Sequence, residues 1–103
     1  MTRVLPNWLR SNFSRVLLGE IYPEIRAIAV KYDSKDKLLL TRCYLDRAPL
    51  EEDFEAMEIA NTEIFAAVGT GLIVNSEVEC FFSNKPFKML DPLDGFVYAR
   101  KES

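Results

Sequence analysis

The first rhythm along the chain is helical. Between Asn7 and Gly19, Trp8, Leu9, Phe13, Val16 and Leu17 recur at helical spacing, with Arg10, Ser11, Ser14 and Arg15 on the other side. This predicts a first helix that stops at Gly19, a residue suited to the left-handed backbone of a helix end. Pro23 holds the residue before it extended. The pattern then changes to a run rich in Ile, Ala and Val from Ile25 to Tyr32, which reads as a strand. Asp33-Ser34-Lys35-Asp36 is polar turn chemistry, and Lys37 to Leu45 is extended again, so the two runs predict an antiparallel hairpin.

Pro49 suits the first position of a second helix running to about Val68, where Gly69 and Gly71 stop it. A predicted apolar stripe joins Leu50, Phe54, Met57, Ile64, Phe65 and Val68, with Glu51, Glu55 and Glu58 along one flank and Glu52 and Glu63 on the far side around Ile59. Ser76 to Asn84 reads as a third strand, Pro86 to Asp94 as a proline-containing loop and Gly95 to Lys101 as a fourth strand. The order is α-β-β-α-β-β. The expected fold is a single α+β domain over residues 1–103, a four-stranded and largely antiparallel sheet with two helices packed on one face. Strands one and two are apolar on both sides, more than one helical layer needs. The second sheet face is therefore either covered by the segments around Leu72 to Val74 and Phe87 to Leu93, or meets another chain.

Composition narrows the class. A chain of 103 residues and 49% apolar content supports one core, and no apolar run reaches the length of a membrane span. Pro6, Asn7 and Arg10 interrupt the apolar opening from Met1 to Leu9, so a signal core is not expected and the cytoplasm is. Cys43 and Cys80 are the only cysteines and read as small buried hydrophobes. Two cysteines without histidine cannot make a zinc site within one chain, and no metal or cofactor is expected.

Charge adds the functional signal. Residues 1–47 carry nine bases against five acids, and the remainder eleven acids against four bases. Much of that acidic excess lies in Glu51 to Glu63, which holds six carboxylates (Glu51, Glu52, Asp53, Glu55, Glu58, Glu63) and no base. With no histidine in the chain, the commonest general base is missing. There is no phosphate loop, no nucleophile beside a base and no metal-ligand spacing, so the reading is a binding protein and not an enzyme. The bases are spread over several elements without interleaved aromatics, which argues against direct nucleic-acid binding. A homo-oligomeric structural or regulatory subunit, such as a homodimer through the open sheet face, is the alternative.

The segment Leu17-Leu18-Gly19-Glu20-Ile21-Tyr22-Pro23-Glu24-Ile25-Arg26-Ala27-Ile28-Ala29-Val30, then Cys43-Tyr44-Leu45-Asp46, the acidic helix from Leu50 to Ile64 and the closing Val97-Tyr98-Ala99-Arg100-Lys101-Glu102 resemble immunity proteins of bacterial contact-dependent growth inhibition systems. The resemblance implies a bacterial cytoplasmic protein that binds the C-terminal toxin domain of a cognate effector, often a nuclease, and blocks it. No contact residue carries over with it. The residues themselves nominate Glu51, Glu52, Glu55 and Glu58 as an acidic ridge for a basic cleft, with Ile59 as apolar anchor. Against that stands the ordinary role of such a run as a solvated helix face, with Glu51 to Asp53 complementing the helix dipole. Asp33, Asp36, Asp91 and Asp94 are secondary candidates, better explained by turns.

Overall fold

The computed structural model describes residues 5–69 and 71–102, so the opening Met1 to Val4, read above for a signal core, lie outside the described residues. Its centre is a strand whose first six residues, Ile25 to Val30, are all buried. This β1 (Ile25–Asp33) pairs antiparallel with β2 (Leu38–Leu45), matching Ala29 to Arg42 and Val30 to Thr41. The hairpin turn closes through Asp33, whose Oδ1 accepts from the backbone N–H of Lys35 and Asp36 at 2.9 and 3.1 Å. The expected hairpin is present, and Asp33 serves the turn.

The first helix, α1 (Asn7–Val16), ends three residues before Gly19, and the chain turns away through Gly19 at φ +80°. Leu9 and Phe13 point fully into the core. Trp8 is only half-buried and meets Tyr32 edge-on at 5.2 Å between ring centroids. After β2 comes α2 (Glu51–Val68), then β3 (Asn75–Phe82), a single 3-10 turn at Phe87–Met89 and β4 (Gly95–Ala99). The predicted order holds. Both helices lie on one face of the sheet, over Ile25, Ile28, Val30, Leu39, Cys43 and Leu45.

The sheet is mixed, and this corrects the expectation of a largely antiparallel one. Its strand order is β3-β2-β1-β4, with β1 antiparallel to both neighbours and β2 parallel to β3. The physical reason is α2: the helix between these two adjacent strands carries the chain back to the end at which β2 began, so β3 runs with β2. β4 instead closes on the far side of β1, pairing Ala27 with Ala99.

The second sheet face is covered by the chain itself. Ala27, Ala29 and Tyr44 pack there with Leu90, flanked by Phe87, Leu93 and Phe96. Of the two candidate covers, only the one around Phe87 to Leu93 serves this face; Ile73, between Leu72 and Val74, belongs to the core under the helices. Asp91 acts as a turn acid, accepting the N–H of Leu93 at 2.9 Å, whereas Asp94 reaches across to β1 and accepts the N–H of Tyr32 at 2.9 Å, a long-range tie and not the expected turn role.

Alternation along β1 slips between Ile25 and Ala27, a bulge that turns Arg26 sideways. Arg26 is 6% exposed. Its guanidinium donates to both Glu102 oxygens at 2.8 and 2.7 Å and to the carbonyls of Ser83 and Lys85 at 3.0 and 2.7 Å. It therefore holds the end of β3, the covering loop and the residues after β4 at one point. Arg100 extends the network to Asp46 at 2.7 Å. Removing a buried charged donor strands its acceptors, so Arg26→Ala should cost about 2–3 kcal/mol of stability. Urea unfolding measures this, and a midpoint within error of the parent would show that the clamp is dispensable.

Candidate functional site

The rotation of α2 about its own axis decides which residues meet solvent, and two buried polar side chains set it. Asp53 is fully buried. It accepts from Arg47 at 2.7 and 3.0 Å, from the backbone N–H of Leu50 at 2.7 Å, and from the Tyr22 hydroxyl. Asp53 thus caps the helix start and pins it to the segments on either side of the hairpin. The Arg47 guanidinium, backed by Tyr22 and the Leu50 N–H, pulls the Asp53 carboxyl from the usual 3.8 down to about 2. Burial, with the hydrogen bond to Asp53, pushes the Tyr22 hydroxyl upward.

The second anchor is Asn61, 3% exposed. Its Oδ1 accepts from the buried Thr41 hydroxyl at 2.6 Å, and its Nδ2 donates to the Glu77 carbonyl on β3 at 3.3 Å. The buried line of α2 is therefore Asp53, Met57, Ala60, Asn61 and Ile64. This departs from the expected apolar stripe. Phe54 and Phe65, assigned to the core by periodicity, are 37% and 41% exposed. Asp53 and Asn61 occupy buried positions that a purely apolar stripe would have filled, and the helix is turned toward them.

The nominated carboxylates stand outward as expected. Glu51, Glu52, Glu55, Glu58 and Glu63 are exposed, and among the described residues none of them forms an ion pair. Glu51, Glu55 and Glu58 follow one another at helical spacing along a single row, which Thr62 continues. Ile59 is 53% exposed, and Glu55, Glu58, Thr62 and Glu63 surround it in a shallow, open hollow. The sixth acid, Asp53, belongs to the core and not to this surface. Sequence reasoning missed the flank beside the ridge, the row Phe54, Asn61 and Phe65, because only the partners of Asn61, Thr41 on β2 and the Glu77 carbonyl on β3, reveal that this row lies along the β2/β3 pair.

Cys43 and Cys80 are buried free thiols, directly opposed across the parallel β2/β3 pair. A hydrogen bond with Cys80, together with burial, pushes the Cys43 thiol up and keeps it protonated. Their role is packing. Among the described residues no cluster of histidine, cysteine or carboxylate groups is arranged to hold a metal ion, and no helix is long and apolar enough to cross a membrane.

The family model described as MafI2 immunity protein matches residues 6–102, from the start of α1 to the Arg26-bound Glu102. The chain belongs to the MafI2 immunity protein family. No curated protein matches it. Membership makes it an immunity protein of a toxin system, which implies a cognate toxin as partner. In this immunity protein the outward carboxylates of α2 are spared from internal pairing, while the carboxylate that is paired holds the helix in place.

Asp53 predicts a pH signature. Because its carboxyl titrates lower folded than unfolded, its stabilisation is complete above about pH 4 and is lost as pH falls toward 2, by about 2 kcal/mol. Glu102, also pulled down to about 2 by Arg26, contributes in the same window. The check is unfolding free energy against pH for the parent and Asp53→Asn: the variant should be less stable at neutral pH and lose less between pH 4 and 2. Parallel curves would remove Asp53 from this role. Glu55→Gln, on the outer row, should leave stability at neutral pH unchanged.

Proposed function

We propose that this immunity protein neutralises the C-terminal toxin domain of a contact-dependent growth inhibition effector, a nuclease with a basic substrate cleft, inside the cytoplasm of the producing cell. It acts by binding, laying the outer face of α2 over that cleft. The observation that carries the proposal is the exposed row Glu51, Glu55 and Glu58, with Glu52 beside it and Ile59 among them. Carboxylates left unpaired across a helix face project a negative potential that steers a basic partner and raises the rate of encounter. A nuclease cleft built for a phosphate backbone presents the matching charge. Ile59 supplies what charge alone does not: an apolar group whose burial at the centre of a contact slows dissociation.

The mechanism makes two demands that α2 meets. Side chains that have to reorganise before binding lose affinity, and here the backbone of the ridge is fixed by the Asp53 and Asn61 anchors. The surface should also be indifferent to substitution as far as folding is concerned, and the outer carboxylates touch nothing that the core needs.

Glu55→Lys with Glu58→Lys provides the test, using the toxin domain encoded immediately upstream as partner. Co-purification and growth rescue should both be lost, with thermal stability and self-association of the double variant unchanged. Full rescue by the double variant would show that the ridge is not the toxin contact. Failure of the parent protein itself to bind or rescue would overturn the proposed function. Raised salt should slow the parent's association rate severalfold, since steering by exposed charges is screened over about 8–10 Å.

A further inference from the structure

Both ends of the sheet are edges, but they are not alike. β4 has five residues, a register shift against β1 between Ile28 and Ala29, and the Arg10 guanidinium on its Phe96 carbonyl at 3.2 Å. Those are the devices that blunt an edge against further pairing. β3 is eight residues long and pairs without a shift along its whole length with β2 on one side only. Asn75 and Ser83 direct their N–H groups at the Lys37 and Leu45 carbonyls of the β2 side. By the two-residue alternation of a strand, Ser76, Val78, Cys80 and Phe82 turn their N–H and C=O groups outward, to the unpaired side.

We propose that this edge of β3 receives an extended strand of the toxin domain, one whose side chains alternate between apolar and basic. The inference rests on the proposed function for the identity of the partner and adds a second contact, next to the acidic row, on the same interface. Two observations set the chemistry of the docked strand. On the helix side, Asn61 bridges β2 and β3 through Thr41 and the Glu77 carbonyl, and Phe54 and Phe65 lie in the same helical row, on the β3 side of α2. These two half-exposed rings would cover apolar side chains of an added strand. On the other side, Glu77 is exposed and has no ion-pair partner among the described residues, and Glu79 meets only Arg42, at 2.8 Å. Carboxylates directly beside the docked strand favour Lys or Arg there.

The same charges argue against a second copy of this chain as occupant. Antiparallel self-pairing in a register centred on the strand sets Glu77 and Glu79 of one copy against those of the other or against themselves, and like charges directly opposed are destabilising. A strand added to an edge takes its affinity from backbone hydrogen bonds and its selectivity from pockets for alternate side chains. The β3 edge offers both.

Residue-resolved amide exchange of the full-length labelled protein, free and in complex with the toxin domain encoded immediately upstream, tests this. Binding should slow the amides of Ser76, Val78, Cys80 and Phe82 by at least about tenfold, well beyond any slowing at Glu77 and Glu79, whose N–H groups face β2. Glu77→Lys should weaken the complex about tenfold without changing thermal stability. A complex that forms and rescues growth while these alternate amides exchange as in the free protein overturns the edge contact and leaves the proposed function standing. Unchanged affinity in Glu77→Lys overturns the basic character assigned to the strand. No complex and no rescue with the parent chain overturns the proposed function, and the edge contact with it.

Discussion

A carboxylate taken wholly out of water has to be compensated at every lone pair, and the way Asp53 is compensated organises the protein. Arg47 comes from the link between β2 and α2, the Leu50 N–H from the helix start and Tyr22 from the segment that leads into β1. Two separate stretches of chain, one leading into β1 and one leading out of β2, converge on one side chain. Because the partners approach from fixed directions, they define the angle at which α2 sits on the sheet, and Asn61, two turns further along, repeats the constraint through Thr41 and Glu77. Apolar packing alone would be more permissive, since a helix can roll by part of a turn and still bury most of a stripe. Hydrogen-bonded groups in a dry interior permit far less roll.

This explains which parts of the fold were legible in the sequence. The hairpin is written in local terms, as two apolar runs joined by Asp33-Ser34-Lys35-Asp36, and it forms as read. The element order was equally legible. Strand direction was not, because it depends on what lies between strands: β2 and β3 are parallel since α2 intervenes between neighbours, a relation that no residue in either strand announces. The exposure of Phe54 and Phe65 was hidden for a related reason. Periodicity counts apolar residues and gives no weight to a buried Asp or Asn, yet here those two residues take core positions. The outward direction of Glu51, Glu52, Glu55, Glu58 and Ile59 could be read from the sequence. Which residues lie beside them in space could not, since β3 meets the helix only in three dimensions.

The charges divide by function in a way that composition conceals. Arg26, Arg42 and Arg47 from the basic excess, together with Arg100, are all spent internally, each bonded to a carboxylate that closes part of the fold. Arg42 also lies over the Phe81 ring at 5.1 Å and bonds the Tyr44 hydroxyl at 3.3 Å, tying β2 to β3 and, through the Tyr44 hydroxyl on the Asp91 carbonyl, to the covering loop. The acidic excess on α2 is left over. A net charge of −3 therefore understates the asymmetry of the surface, because the internal pairs consume positive charge that would otherwise screen the ridge.

The parallel crossover has a consequence in time as well as in space. The β1/β2 hairpin joins residues close in sequence and can form early, whereas β3 cannot pair until α2 has been laid across the sheet and the intervening chain closed. The flank of α2 and the strand beside it consequently exist as one surface only after this late step. A half-folded chain would carry the acidic residues without β3 beside them, so this surface belongs to the folded fraction of the protein rather than to every chain synthesised.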